Sequence, residues 1–74
     1  MPQFTNIYAF IISTEEMDKS TFNATPSERI EFERRGSLVN FHLIIDDEVE
    51  EEWVFAARGE KLERYLEELE RLYS

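Results

Sequence analysis

The sequence contains no cysteine, so disulfide bonds cannot stabilise its fold, and the absence fits a reducing compartment. Its 74 residues are enough for one domain. A domain of this size buries only about 60% of the surface of its unfolded chain, so a metal or oligomerisation often adds to its stability. The aromatic content of 14% and the hydrophobic content of 42% are sufficient for a packed core, which argues against a disordered acidic tail.

Long hydrophobic runs and basic residues are both scarce. The apolar run within residues 1–13 has no basic residues before it and is shorter than the about 20 residues that cross a bilayer, so we expect a cytoplasmic protein. There are 8 Lys and Arg residues against 17 Asp and Glu residues, for a formal net charge of −9. Because nucleic acids and anionic membranes are bound through Lys and Arg side chains, we expect neither as a direct partner.

The chain also has few residues that carry chemistry in other proteins. The only histidine, His42, alternates with Asn40 on a predicted strand, and no serine is marked as a nucleophile beside it. The two glycines, Gly36 and Gly59, are isolated and form no phosphate-binding loop. The acidic residues lack the spacing and the glycine of a calcium-binding loop. We therefore predict a protein that is not an enzyme, with no catalytic residues, no cofactor and no metal site.

The first half of the chain predicts a strand, a short helix and a second strand. Residues 3–13 are apolar on both alternating faces and rich in β-branched and aromatic residues, which indicates a strand covered on both faces. Ser13 and Glu16 fit a capping box, so a short helix is expected over 14–21. In residues 29–35, apolar residues alternate with charged ones, which is typical of a half-buried strand.

The second half contains the clearest pattern. Gly36 supplies a turn that leads into a strand over 38–45. Over 60–73, the leucines and tyrosines fall on one stripe at helical spacing, which predicts an amphipathic helix packed on the sheet. The predicted fold is α+β, with a four-stranded, mostly antiparallel sheet, the C-terminal helix on one face and the element order β-(short α)-β-β-β-α.

Residues 46–57 are compatible with two structures. In the first, 46–48 form a hairpin turn and 50–57 run back as a strand. In the second, Asp47 caps a helix whose first turn is acidic, as the helix dipole favours. We prefer the strand, because Trp, Val and Phe favour a pleated surface and because Gly59 would end the helix early.

The densest charge in the chain lies at 46–52, where six of seven residues are acidic. Carboxylates steer a cationic partner and a neighbouring aromatic ring anchors it, and carboxylates spaced along a strand can imitate the phosphates of DNA. We therefore predict a small acidic interaction protein that inhibits or regulates a basic protein, such as one that binds nucleic acid. The predicted partner-binding residues are Asp46, Asp47, Glu48, Glu50, Glu51, Glu52 and, if its ring is exposed, Trp53.

Two other interpretations stay open. In one, the acidic run is a solvated turn that keeps a small protein soluble. In the other, the chain is a homodimeric or accessory structural subunit whose apolar sheet face is the interface, because a first strand that is apolar on both faces needs a cover on each. Measuring association at low and high salt distinguishes charge-driven binding from apolar association, since only charge-driven binding weakens when ions screen the charges.

Overall fold

The computed structural model describes residues 2–74, in which two helices pack on a five-stranded sheet. No helix among these residues is long and apolar enough to cross a membrane. The elements are β1 (Gln3–Phe4), α1 (Ile7–Glu16), β2 (Lys19–Asn23), β3 (Glu28–Arg35), β4 (Leu38–Ile45), β5 (Glu48–Ala56) and α2 (Glu60–Tyr73). In the sheet the strands follow the order of the chain, with β1 parallel to β2 and all other neighbours antiparallel.

Most of the predicted fold is confirmed. The class is α+β, β3 and β4 match the predicted strands, and α2 covers the predicted C-terminal helix. The strand preferred over a helix for 50–57 is also confirmed, and β5 begins two residues earlier than predicted, at Glu48. The predicted sheet was one strand short, however, and it is mixed because β1 runs parallel to β2.

The prediction of a strand over 3–13 is wrong, because most of this segment belongs to α1. Asn6 begins the helix: its Oδ1 accepts hydrogen bonds of 2.9 and 3.2 Å from two backbone N–H groups of the first turn. The apolar residues that suggested two covered strand faces are instead distributed around a helix, with Ile7 and Phe10 buried and Ile12 exposed. Tertiary packing therefore outweighs the strand preference of β-branched and aromatic residues.

The predicted short helix over 14–21 is wrong for a related reason. Ser13 does not cap a helix but lies inside α1, where its hydroxyl bonds to the carbonyl oxygen of Phe10 at 2.5 Å. The same hydroxyl lies 2.8 Å from the hydroxyl of Ser20 in β2, and both side chains are buried. The pair links α1 to the sheet, and residues 19–23 pair as a strand instead of continuing a helix.

Both helices pack on the same face of the sheet. The ring of Phe10 in α1 lies 5.7 Å from the ring of Phe22 in β2 and 6.5 Å from the ring of Phe41 in β4. The ring of Tyr65 in α2 lies 4.8 Å from that of Phe41 and 5.0 Å from that of Phe55 in β5. We call this side of the sheet the helix face, and the side that points away from both helices the open face.

Candidate interaction surface at the acidic hairpin

A tight turn brings the acidic residues to one end of the molecule. Asp46 and Asp47 are the two residues of the turn between β4 and β5, and both have a positive φ, of 52° and 65°. Two successive residues in the left-handed region form a type I′ turn, whose twist matches that of the flanking strands. Aspartate tolerates this conformation better than most residues. We call residues 46–52 the acidic hairpin.

A β-bulge changes the direction of the side chains just beyond the turn. The pairing shifts between Leu43 and Ile44, so that Leu43 lies opposite Glu51 while Ile44 lies opposite Val49. Glu50 is the extra residue of the bulge and has no opposite residue in β4. The carboxylates therefore do not form one row: Glu52 lies on the open face opposite His42, whereas Glu51 and Glu48 lie on the helix face opposite Leu43 and Ile45.

Only two of the six acidic residues of the acidic hairpin have a basic neighbour within salt-bridge distance. Asp47 accepts a hydrogen bond of 3.1 Å from Arg29 in β3, and Glu52 lies 3.0 Å from Nε2 of His42. The hydrogen bond to Asp47 is the main reason that the pKa of Arg29 is raised above its ordinary value. The other four carboxylates of the acidic hairpin have no basic side chain within salt-bridge distance in residues 2–74; they are those of Asp46, Glu48, Glu50 and Glu51.

Trp53 follows the acidic hairpin on the helix face. Its ring lies 5.3 Å from the ring of Tyr65, and its side chain is half-buried. Part of the indole therefore belongs to the core, while the rest stays in contact with solvent beside the carboxylates. The role of Trp53 as an anchor for a partner remains a prediction.

The hydroxyl of Tyr65 is an unusual group next to this surface. It is buried and has no hydrogen-bond partner among the residues that the structure describes. Burial raises the pKa of Tyr65, and the nearby Tyr73 and Glu51 raise it further. The ring of Tyr65 lies within 5.3 Å of the rings of Phe41, Trp53 and Phe55, and this aromatic cluster adjoins the acidic hairpin because Trp53 directly follows Glu52.

The acidic hairpin also lies on an exposed edge of the sheet. β5 is the last strand, so along its nine residues one edge of its backbone is paired with no strand in the described part of the chain. Unpaired strand edges attract other strands, and natural proteins protect them with charged side chains. The glutamates of β5 therefore restrict which partners can approach this edge.

The other residue that the sequence analysis considered for chemistry is His42. His42 points to the open face, where Glu52 is its hydrogen-bond partner. In the described residues, no group of three or more His, Asp or Glu side chains is placed to hold a metal ion.

Arg29 is the residue of this surface that the sequence reasoning missed. It lies 18 positions before Asp47 in the chain. The turn at Gly36 nevertheless indicates its position, because a two-residue turn there places Arg29 opposite Ile44, which is next to the last residue of β4. A pairing of the strands residue by residue would have brought this arginine to the acidic hairpin.

No family model, curated protein or solved structure matches the chain.

Proposed function

We propose that this protein is a non-enzymatic interaction protein that binds a basic protein through the acidic hairpin and thereby inhibits or regulates it. The observation that carries the proposal is the concentration of six exposed acidic residues in one hairpin, four of which have no basic neighbour in the described residues.

The unpaired carboxylates favour a cationic partner. Exposed like charges on neighbouring strand positions repel one another, at a cost of a few tenths of a kcal/mol for each pair. Lys and Arg side chains of a partner remove this repulsion when they bind, and the surrounding field increases the rate of encounter. A turn that served only to reverse the chain needs two polar residues, and Asp46 and Asp47 already supply them.

The partner proposed is a protein with a cationic groove, of the kind that binds nucleic acid. Such grooves bind a phosphate backbone mainly through its charge. The carboxylates of Glu51 and Glu52 point to opposite faces of the acidic hairpin, which suits a groove that contacts both faces better than a flat surface. The half-buried Trp53 supplies an aromatic contact next to the charges.

Binding through the acidic hairpin predicts a steep dependence on salt and on three specific carboxylates. The tagged protein is incubated with a lysate of its native cells at about 0.05 M and 0.5 M NaCl, and retained proteins are identified by mass spectrometry. The partner is then purified, and its affinity is measured for the unchanged protein and for the variant Glu48→Gln, Glu50→Gln, Glu51→Gln. We expect a basic partner that is retained only at low salt, and a loss of affinity of at least about tenfold in the variant, or about 1.4 kcal/mol.

A matched control has the same charge change elsewhere. Glu63, Glu67 and Glu70 of α2 are exposed and form no salt bridge among the described residues, so changing them to Gln removes the same number of charges from α2 instead of the acidic hairpin. The control should bind within about threefold of the unchanged protein, because steering at a distance is screened by salt. Equal losses in both variants would show that only the net charge matters and would refute the acidic hairpin as the binding surface.

A further inference from the structure

The open face of the sheet differs from the rest of the molecular surface in its charge. Among the paired residues of β2–β5, the charged side chains of this face, apart from His42, are three bases and three acids, so their charges sum to zero although the chain carries −9. The excess of negative charge therefore lies on the helices, the loops, the helix face and the residues of the acidic hairpin other than Glu52. The charged residues of the open face are Lys19, Arg29, Arg35, Glu31, Glu33 and Glu52.

The charges of the open face also neutralise one another locally. Glu33 lies 2.8 Å from Arg35 and 4.0 Å from Lys19, and Glu31 lies 3.3 Å from Arg29. The hydrogen bond from Arg35 is the main reason that the pKa of Glu33 is lowered. A surface whose ions are already paired is easier to cover than one with unpaired ions, because each ion keeps its partner when water is removed.

Exposed apolar side chains lie between these pairs. Leu38 and Val54 are 49% and 51% exposed, and the strand register makes them neighbours, since Leu38 lies opposite Ala56 and Val54 opposite Asn40. Val49, which is 59% exposed, extends the apolar surface at the other end of the two strands. Half of the large apolar side chains that are exposed in the described chain therefore lie on the open face.

We propose that the open face is the interface of a homodimer, in which the open face of a second copy covers it. A second copy brings the same neutral, partly apolar surface, so the two faces meet without net repulsion, whereas the rest of each copy carries the net negative charge. In this dimer the turn at Asp46 and Asp47 and the carboxylates of Glu48 and Glu51 on the helix face remain accessible, whereas Val49 and Glu52 lie within the contact.

The area of the open face indicates how tightly the two copies associate. Four strands about 4.8 Å apart, with five, eight, eight and nine residues, cover on the order of 500 Å². This is less than the about 800 Å² that each partner contributes to a standard interface. The dimer therefore dissociates on dilution and is observed at high protein concentration.

The experiment measures mass as a function of concentration. Sedimentation equilibrium is carried out at about 5 to 500 µM protein and 0.15 M NaCl, and again at about 0.5 M NaCl. We expect the mass to rise from that of the monomer, 8.9 kDa, towards twice that value. The association should not weaken at the higher salt concentration, since apolar burial contributes most of it. A monomer at every concentration would overturn the proposal.

Two variants locate the interface. Val54→Lys places a lysine in the proposed contact of both copies and should weaken dimerisation by more than about tenfold. Ile12→Lys makes the same change on α1 at a residue that is 55% exposed, and should leave the dimer intact. Leu38→Lys serves as a second interface variant if circular dichroism shows that the first does not fold. A dimer that tolerates the interface variant, or that Ile12→Lys disrupts equally, would overturn the proposal without affecting the one made for the acidic hairpin.

Discussion

Two tyrosines of α2 face the sheet, and their hydroxyls are in different environments. Tyr73 donates a hydrogen bond of 2.7 Å to Oε1 of Glu28, at the start of β3. Burial, followed by this hydrogen bond and the charge of Glu28, raises the pKa of Tyr73 to about 12. The buried hydroxyl of Tyr65 has no such partner. One hydroxyl therefore stabilises the fold, whereas the other lost its hydration without gaining a hydrogen bond.

Removing each hydroxyl should have opposite effects on stability. Tyr73→Phe loses the bond to Glu28 and should lower the free energy of unfolding by about 1 kcal/mol. Tyr65→Phe removes an unsatisfied polar group and should leave the free energy of unfolding unchanged or raise it by up to about 1 kcal/mol. Urea unfolding followed by circular dichroism at constant protein concentration measures both. A larger loss for Tyr65→Phe than for Tyr73→Phe would contradict the difference in their environments.

At the scale of single residues, the sequence allowed the acidic hairpin to be located but not its partners within the fold. The run of acidic residues at 46–52 can be read directly from the amino-acid sequence. That Arg29 reaches Asp47, and that Trp53 packs on Tyr65, depends on which strands and helices become neighbours. The depth to which Trp53 is buried follows from where α2 docks, and no pattern within β5 determines it.

The β-hairpin formed by β4 and β5 illustrates how backbone conformation limits the choice of residues in an element. Its turn holds two aspartates in the left-handed region. A residue with a Cβ atom is strained there by roughly 1–2 kcal/mol, and aspartate only partly escapes this strain. The acidic turn is therefore not the most stable one that this hairpin could have.

Substitution of Asp46 separates backbone strain from charge. Asp46→Gly and Asp46→Ala remove the same carboxylate, but only glycine adopts a φ of 52° without strain. We expect the glycine variant to be more stable than the alanine variant by about 1 kcal/mol, with the glycine variant at least as stable as the unchanged protein. Thermal unfolding of the three proteins under identical conditions provides the comparison. Equal stability of the two variants would mean that the turn relaxes when Asp46 is replaced.

At the scale of elements, β3, β4, β5 and α2 could be predicted because their periodicity and their turns agree. The beginning of the chain could not be predicted in the same way. Its residues are apolar at nearly every position, so neither the period of a strand nor that of a helix stands out. The decisive residue is Asn6, whose side chain caps α1, and a single capping residue is a weak signal beside a run of β-branched and aromatic residues.

The charge of the whole molecule acts over its entire length at low salt. The molecule measures 30 by 23 by 20 Å, and the Debye length is about 30 Å at 0.01 M salt but only about 8 Å at 0.15 M. With a net charge of −9, mutual repulsion therefore extends across the fold in dilute buffer and is confined to near neighbours in physiological salt.

The melting temperature should consequently rise with salt. Between 0.01 M and 0.15 M NaCl we expect an increase of several degrees, since about 1 kcal/mol corresponds to roughly 4–8 °C in a domain of this size. The variant Glu48→Gln, Glu50→Gln, Glu51→Gln should melt higher than the unchanged protein at low salt and show a smaller increase. Protein concentration is held constant throughout. Identical salt dependence in the two proteins would show that repulsion within the acidic hairpin does not destabilise the fold.

The order of the strands determines which contacts are made quickly. From β2 to β5, neighbours in the sheet are also neighbours in the chain, joined by connections of two or four residues. β-Hairpins of this kind form within about 1–10 µs. The docking of α2, by contrast, brings Tyr73 to Phe22 across most of the chain. The aromatic side chains that only α2 covers, such as Phe55, therefore stay in water until α2 docks, and we expect this docking rather than strand pairing to limit the rate of folding.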